Sequence, residues 1–373
     1  MQPDPLACTL ALTRIKGLSA RHALILHKAL GEDSSLLWSN PGEVRHALPD
    51  LHAKLADILD QGKEAALRKA CAELEWAQKH QVHILCYGTP EYPSRLLECD
   101  DAPLALFYMG NAPLNTRHAL AVVGTRKCTE YGKDMCRKLI APLAEHRPDT
   151  LIVSGLAYGI DIHAHRAALQ AGLPTVAVLA HGLDRIYPPA HRDTAKAMLE
   201  NGGLLTEYMT ETTPDKFNFV HRNRIVAALA DGCLVVESAD KGGALITAQI
   251  AQDYHRDVMA VPGRVGDKYS MGCNRLIHSN GAALVTTTQE VLATMGWPSD
   301  ATECRKEEPQ LFPELSPEEQ TLVGLLQGTD GKHINQLAVE CDMPVHRVSA
   351  LLFDLEMRSV VKALSGGCYR LLL

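Results

Sequence analysis

The chain has 373 residues, of which 46% are hydrophobic and 22% charged, so it is long enough for two or three globular domains. Its net charge of −7 argues against a generally basic nucleic-acid-binding protein. No apolar run approaches the roughly 20 residues that span a bilayer, and the first residues lack a basic start and an apolar signal core. These features predict a cytoplasmic protein that is neither exported nor in contact with a membrane.

The eleven cysteines are scattered along the chain, and none of them forms a C-x-x-C pair. An odd, unclustered set is typical of reduced thiols and predicts neither disulfides nor a zinc site. Between residues 118 and 290 the chain has 18 Lys and Arg against 18 Asp and Glu, whereas residues 300–373 have 7 against 12. A polyanion should therefore bind in a local basic pocket in the middle of the chain rather than on the acidic tail.

Residues 1–82 are predicted to form a helical unit, because leucines and alanines recur there at helical spacing with Gly17 and Gly31 as breaks. Residues 15–18, ahead of an Ala- and Leu-rich helix, resemble a helix-hairpin-helix or SAM-like unit. Such a hairpin either grips a phosphate with backbone N–H groups or serves as a small packing module, and both alternatives stay open. Residues 83–114 are predicted to form an irregular segment with short strands, a lead-in to the domain that follows.

From residue 119 the pattern changes to an alternation of strands and helices. Most candidate strands are continuous apolar runs, as expected for parallel strands that are covered on both faces. The predicted strands are residues 119–124, 150–154, 174–180, 203–207, 232–237, 257–261 and 282–286. The predicted helices are residues 129–146, 160–171, 190–201, 217–230, 244–255 and 270–279. We therefore predict a doubly wound α/β domain with a mostly parallel sheet. With the lead-in of residues 83–114, this domain covers residues 83–296.

The end of the chain has a different pattern. Residues 297–314 contain three prolines and a charged run, which predicts a linker. Ser316 and Pro317, followed by two acidic residues, indicate the start of a helix. With this helix, the pattern gives three short helices and a β-hairpin around Gly366 and Gly367. Residues 315–373 are therefore predicted to form a winged-helix domain.

The first of three glycine-bearing turns follows the predicted strand 119–124. Gly124 allows the turn, Thr125 offers a hydroxyl, and the Arg126 guanidinium can fork onto a phosphate. This turn should lie at the carboxyl edge of the sheet, where doubly wound folds bind their ligands and helix N-termini favour anions. A tight structural turn with Arg126 in an ion pair is the alternative.

Two further turns are expected at the same edge. Ser154 and Gly155 open the stretch S-G-L-A-Y-G-I-D, in which Gly155 permits close backbone approach and Ser154 can donate to an anion. Lys241, Gly242 and Gly243 open a later helix and add a cation. Three such turns together predict a phosphate-bearing ligand.

The strongest basic element is Arg222-Asn223-Arg224, which stands at the start of a predicted helix. Side chains two residues apart on a helix diverge by about 200°, so one arginine should line the site while the other braces an acidic partner. Tyr187 on a Tyr-Pro loop either stacks on a base or anchors its loop.

Motifs of catalysis are missing from the sequence. It contains neither G-x-G-x-x-G nor G-x-x-x-x-G-K-[ST], and no recognisable triad. His163 and His165 are two residues apart, a spacing that points them to different helix faces and predicts no shared metal. Few acids are expected near the pocket and none has a recognisable partner as a general base. We therefore predict a binding protein, not an enzyme, with no cofactor and no metal.

The ordered motifs G-T-R, S-G-L-A-Y-G-I-D, Y-P-P, R-N-R-I-V-A-A-L-A, K-G-G-A-L-I-T-A and G-C-N-R-L-I-H-S-N-G-A closely resemble the DNA-processing protein A family, DprA or Smf, from about residue 87 to 285. The resemblance implies an extended Rossmann fold without catalysis. It also implies a protein that binds single-stranded DNA, loads the RecA recombinase onto it during natural transformation, and forms a homodimer through the Rossmann domain.

The helical unit and the winged helix look like flanking domains of the same family. For the DNA pocket, the resemblance points to Gly124, Thr125, Arg126, Ser154, Gly155, Arg222, Arg224, Lys241 and Gly242. Thr125 and Gly242 stand where the family commonly has Ser, and Thr125 keeps the hydroxyl. The local pattern adds Tyr187, Asn223 and Gly243 to the predicted site.

Two alternatives remain from the residues themselves. A nucleotide-binding enzyme similar to the phosphoribohydrolases would use a related Rossmann core, but those enzymes carry P-G-G-x-G-T-x-x-E, and no Glu follows residues 240–244 at that spacing. The winged helix either reads duplex DNA through His346, Arg347 and Arg358 or contacts a protein, and its acidic charge favours the protein contact.

Overall fold

A computed structural model describes residues 4–39, 53–297, 315–329 and 331–372. The chain divides into two compact units, one up to residue 300 and one from residue 301 onward. Nearly all of the predicted linker lies outside the described residues. Within the described ranges, no helix has the length and apolar character that crossing a bilayer requires.

Nine strands among the described residues of the first unit form one sheet. They are β1 His83–Cys86, β2 Ala105–Gly110, β3 Ala119–Val123, β4 Leu151–Ser154, β5 Thr175–Val178, β6 Gly202–Thr206, β7 Gly232–Val235, β8 Asp257–Ala260 and β9 Ala283–Leu284. Their spatial order is β1-β2-β6-β5-β4-β3-β7-β8-β9. Only β1 with β2 and β2 with β6 pair antiparallel, so the prediction of a mostly parallel sheet is confirmed.

The described part of the first unit also contains the α-helices that surround this sheet. They are α1 Pro5–Leu12, α2 Ala20–Ala29, α3 Leu36–Ser39, α4 Ala53–Lys79, α5 Ser94–Leu97, α6 Glu130–Ile140, α7 Leu143–His146, α8 Ile160–Gln170, α9 Arg192–Glu200, α10 Lys216–Ala228, α11 Gly243–Asp253, α12 Met271–His278 and α13 Thr288–Thr294. The predicted helix 129–146 is divided into α6 and α7, with residues 141 and 142 between them.

Strand β3 shows why these sequences form buried parallel strands. All five of its residues are buried. Ala119, Ala121 and Val123 belong to the hydrophobic cluster that contains α10 and α11, whereas Leu120 and Val122 belong to the cluster that contains α6 and α8. Because side chains alternate between the faces of a strand, an uninterrupted apolar run is what two helical layers require.

The order of the strands indicates where a ligand is expected to bind. From β3 the chain builds β4, β5 and β6 on one side of the sheet, and it then returns to place β7 on the other side of β3. This reversal lies between β3 and β7, and in open α/β sheets the crevice beyond the carboxyl ends of such strands is the expected binding site.

The helices α1 to α4 pack against the antiparallel edge of the sheet. Leu10, Leu26 and Leu59 share one hydrophobic cluster with Phe107 of β2 and with Met209 beyond β6. The helical N-terminal region is therefore continuous with the sheet, and part of it, residues 40–52, lies outside the described residues.

The second unit has the predicted winged-helix architecture. Its elements are α14 Pro317–Leu326, β10 Lys332–His333, α15 Ile334–Glu340, α16 Val345–Met357, β11 Val361–Leu364 and β12 Cys368–Leu371, with sheet order β10-β12-β11. The predicted start of α14 is confirmed, because Ser316 and Glu319 form a capping box and Pro317 is the first helical residue.

Candidate nucleic-acid interface

A cavity of about 310 Å³ lies at the carboxyl edge of the sheet, between the turns that follow β3, β4 and β7. Nine of the twelve predicted site residues line it: Gly124, Thr125, Arg126, Gly155, Arg222, Asn223, Lys241, Gly242 and Gly243. The other three, Ser154, Tyr187 and Arg224, lie outside the lining, each for a different reason.

Backbone hydrogen bonds join the first turn to the segment after β7 and to the second turn. Thr125 N donates to Glu237 O at 2.7 Å, and Ile160 N donates to Thr125 O at 3.1 Å. Gly159 has a φ of +82°, and a Cβ at this position would overlap the Thr125 carbonyl. Only glycine combines this conformation with this approach, so the second turn holds the first in place.

The second turn holds two buried groups of opposite charge next to Gly155. Asp161, in the first turn of α8, lies next to the Arg222 guanidinium, and a Cβ on Gly155 would overlap both groups. Ser154 is fully buried and its Oγ donates to Val122 O at 2.6 Å, which directs its hydroxyl into the sheet. At this turn, the role that we predicted for an external anion is filled by the Asp161 carboxylate.

Burial governs the charges of this pair. It raises the pKa of Asp161 to about 6, although Arg222 and Arg126 favour the ionised carboxylate. Burial also lowers the pKa of Arg222, while Asp161 acts in the opposite direction. Arg222 Nη1 further donates to the Val178 carbonyl, which fixes the guanidinium at the cavity wall.

The third turn supplies an exposed cation. Lys241 is solvent-exposed, and Gly242 caps the N-terminus of α11, the helix that runs away from the cavity. The neighbouring Asp240 forms an ion pair with Arg275, so its negative charge is neutralised. Lys241 and the N-terminal end of α11 therefore offer positive potential to a bound anion.

The two arginines of R-N-R have different surroundings. Arg222 lines the cavity, whereas Arg224 points away from it and forms a buried salt bridge with Glu207. Arg224 Nη1 also donates to Asp101 O at 2.7 Å, and only 5% of the residue is exposed. The structure thus places Arg224 as a brace between α10 and two neighbouring loops.

An aromatic rim borders the cavity. Phe219 lines it, and the Arg126 guanidinium lies 5.1 Å from the centre of the Phe219 ring. The Tyr187 ring is 5.9 Å from that of Phe219 and 46% of the residue is exposed, which places Tyr187 beside the cavity rather than in its wall. Phe219 was absent from the predicted site, but it stands three residues before Arg222, a spacing that shares a helix face.

The buried histidines have structural partners. His165 Nδ1 lies 2.7 Å from Thr175 Oγ1, and its Nε2 lies 2.9 Å from Gly155 O. Burial lowers the pKa of His165 to about 4, so this ring is neutral at pH 7. Across the described ranges, no three His, Cys, Asp or Glu side chains form a group that could hold a metal ion.

Comparison with known proteins gives a consistent set of matches. Residues 83–296 match the family described as DNA recombination-mediator protein A, and residues 306–367 match the DprA winged helix domain. Protein Smf of Escherichia coli is 36% identical over 80% of this chain and 80% of its own length. The DNA processing protein DprA of Streptococcus pneumoniae is 45% identical over 54% of this chain and 70% of its own length.

Two solved structures are similar to this one. That of DNA processing protein A from Streptococcus pneumoniae has a TM-score of 0.66 at 36% identity, covering 79% of this chain and 98% of that chain. The structure of DNA processing protein A from Helicobacter pylori, described for its single-stranded DNA binding mode, has a TM-score of 0.52 at 30% identity. It covers 58% of this chain and 95% of that chain.

Proposed function

This chain belongs to the DNA recombination-mediator protein A family, and from that premise we propose that its cavity binds the phosphates of single-stranded DNA. The observation that carries the proposal is the convergence of Arg126, Arg222 and Lys241 with the N-terminal end of α11 at the switch point of the sheet. Phosphate is the ligand that such a set of donors and cations recognises.

The rim of the cavity favours single strands over duplex. Phe219 and Tyr187 present aromatic rings next to the cations, and unpaired bases can stack on such rings. In a duplex the bases are stacked on each other and cannot reach them. The described binding of single-stranded DNA by the Helicobacter pylori relative supports the same choice.

Recombination mediation and assembly extend this proposal. The description of the family as recombination mediators supports a role in which the bound strand is protected and passed to the RecA recombinase during natural transformation. A homodimer formed through the first unit would place two cavities on one strand and raise the affinity through effective concentration.

The Streptococcus pneumoniae relative is described as a DNA processing protein. An enzyme similar to the phosphoribohydrolases would need a carboxylate that is free to act in the cavity. Asp161 is buried against Arg222, and Glu237 accepts hydrogen bonds from Thr129 N at 2.8 Å and from Thr129 Oγ1 at 2.5 Å. Both carboxylates therefore have structural partners, which favours binding without catalysis.

The proposal is tested by fluorescence anisotropy with a labelled oligothymidylate of about 30 nucleotides and a matched duplex. If three or four phosphates are neutralised, log affinity should fall with log salt at a slope of about −2 to −3. The double variant Arg126→Ala/Lys241→Ala should lose most of the single-strand affinity and flatten the slope. Lys69→Ala/Lys79→Ala, which removes two exposed cations of α4, should bind like the wild type.

Two outcomes would overturn the proposal: a preference of the wild type for duplex, or equal binding by the cavity variant and the wild type. If no oligonucleotide binds at all, calorimetry with nucleoside monophosphates tests the enzyme alternative.

A further inference from the structure

The loop that follows β8 carries an apolar side chain at the tip of a tight turn. Asp267 N donates to Arg264 O at 3.2 Å, and Gly266 in the turn has a φ of +95°. Val265, next to this glycine, is 98% exposed. Val265 therefore makes no packing contribution to the fold, and its side chain is accessible to a ligand.

This turn is anchored beside the cavity. Ser238, which lines the cavity, donates its backbone N–H to Tyr269 O at 2.7 Å and accepts at its own carbonyl from Gly272 N at 2.9 Å. At the other end of the loop, the Asn274 side chain holds both the N–H and the carbonyl of Gly263. Both ends are thus fixed by hydrogen bonds, and the turn stands at the β8 side of the cavity.

Exposed cations continue from the cavity toward this turn. Lys127, Lys241 and Lys268 are all exposed, and none of them has an ion-pair partner in the described part of the chain. Lys268 Nζ lies 5.8 Å from the centre of the Tyr269 ring, which leaves its charge at the surface. The acid on the turn itself is Asp267, and Arg264 stands beside it.

The opposite side of the cavity has no excess of cations. In the loop after β5, Arg185 is paired with Asp184. After β6, the exposed acids Glu211 and Asp215 are followed by one exposed lysine, Lys216. A strand that leaves the cavity toward β5 and β6 therefore meets slightly more acids than cations, whereas one that leaves toward β8 meets unpaired lysines.

We propose that the turn of residues 264–268 is a second contact for the strand, at which Lys268 binds a phosphate and Val265 packs against a sugar or a base. This inference rests on the proposed function and adds the path of the strand, which crosses from the cavity over β7 to β8. The cavity alone holds a short segment, and the turn lengthens the binding site on one side.

The test uses the full chain and two oligothymidylates, of about 4 and about 15 nucleotides, in the anisotropy assay. In the double variant Val265→Ser/Lys268→Ala, binding of the short oligomer should stay within about twofold of the wild type. Binding of the long oligomer should fall about five- to tenfold, with a salt slope that is flatter by about 0.7, the value for one phosphate. Both side chains are exposed, so the midpoint of thermal unfolding should not change.

Two further variants sharpen the result. Arg185→Ala, on the opposite side of the cavity, should leave both oligomers unaffected, and Lys268→Arg should bind the long oligomer like the wild type. Equal losses for both oligomers, or no loss for the long one, would overturn the proposed path. Failure of the proposed function looks different, because the wild type would then bind neither oligomer.

Discussion

Asp161 sets the charge of the cavity through its contact with Arg222. When this carboxyl is ionised it compensates the guanidinium, and when it is protonated Arg222 presents a full positive charge to the ligand. A bound phosphate adds negative charge close to Asp161 and so favours its protonated form. Phosphate binding and protonation of Asp161 should therefore promote each other, as linkage requires.

The sign of the pH dependence follows from the pKa of about 6 that burial gives Asp161. Below that pH the carboxyl is already neutral, so affinity for oligothymidylate should be highest and level. As the pH rises above 6, binding must add a proton, and affinity should fall until the pKa of the bound state is passed. A rise of one unit in the pKa on binding corresponds to about a tenfold fall in affinity.

Anisotropy titrations between about pH 5.5 and 8 measure this dependence. Asp161→Asn removes the titrating group and should give a nearly flat profile. His221 is exposed and lies near Glu207, so His221→Gln serves as the control and should keep the slope of the wild type. If the Asp161→Asn profile falls as steeply as that of the wild type, Asp161 does not control the charge of the cavity.

At the scale of elements, the cavity depends on the contact between the turns after β3 and β4. Gly159 is the N-cap of α8 and lies directly against the Thr125 carbonyl, so a side chain there must push the first turn out of place. Gly172 has a similar φ of +76°, but a Cβ at that position would meet no atom within 4 Å. Gly172 therefore serves as the control for a positive φ without a contact, whereas Gly159 combines the contact with a φ of +82° and a ψ of −128°.

Gly172→Ala should lower the free energy of unfolding by about 1–2 kcal/mol, the cost of a left-handed alanine. Gly159→Ala should lower it by more, since the overlap with Thr125 adds to that cost, and it should also weaken oligothymidylate binding. Urea unfolding and anisotropy on both variants give the comparison. If Gly159→Ala binds DNA as well as Gly172→Ala does, the contact between the two turns does not shape the site.

The apolar runs were sufficient to predict most of the sheet, and the glycine turns together with R-N-R predicted nine of the lining residues. The positions of the three site residues outside the lining depend on contacts with other elements, which the local sequence pattern does not contain. Ser154 is the last residue of β4, and the pleat decides that its hydroxyl turns into the sheet. Arg224 lies on α10, and its partner Glu207 lies 17 residues away in the loop after β6. The orientation of the Tyr187 ring likewise depends on Phe219, which lies on α10.

At the scale of the whole molecule, the two units differ in whether their cations are paired. The cations of the first unit include unpaired lysines at the cavity, but those of the described residues in the second unit all have partners. Lys332 pairs with Glu340, and Arg347 and Arg358 pair with acids of α14. Lys362 and Arg370 also have partners. Phosphate contacts dominate the affinity of proteins for duplex DNA, so we expect this winged helix to bind duplex weakly.

A chain that ends after Trp297 tests this view of the winged helix. Trp297 must be kept because its ring packs at 4.8 Å from that of His118 and belongs to the core under α13. The shortened protein should bind oligothymidylate within about twofold of the full chain at the same salt, because every cation of the cavity remains. Its weaker binding to duplex should also be unchanged. Loss of duplex binding alone would make the winged helix a reader of duplex DNA, with Arg347 and Arg358 exchanging their glutamates for phosphates.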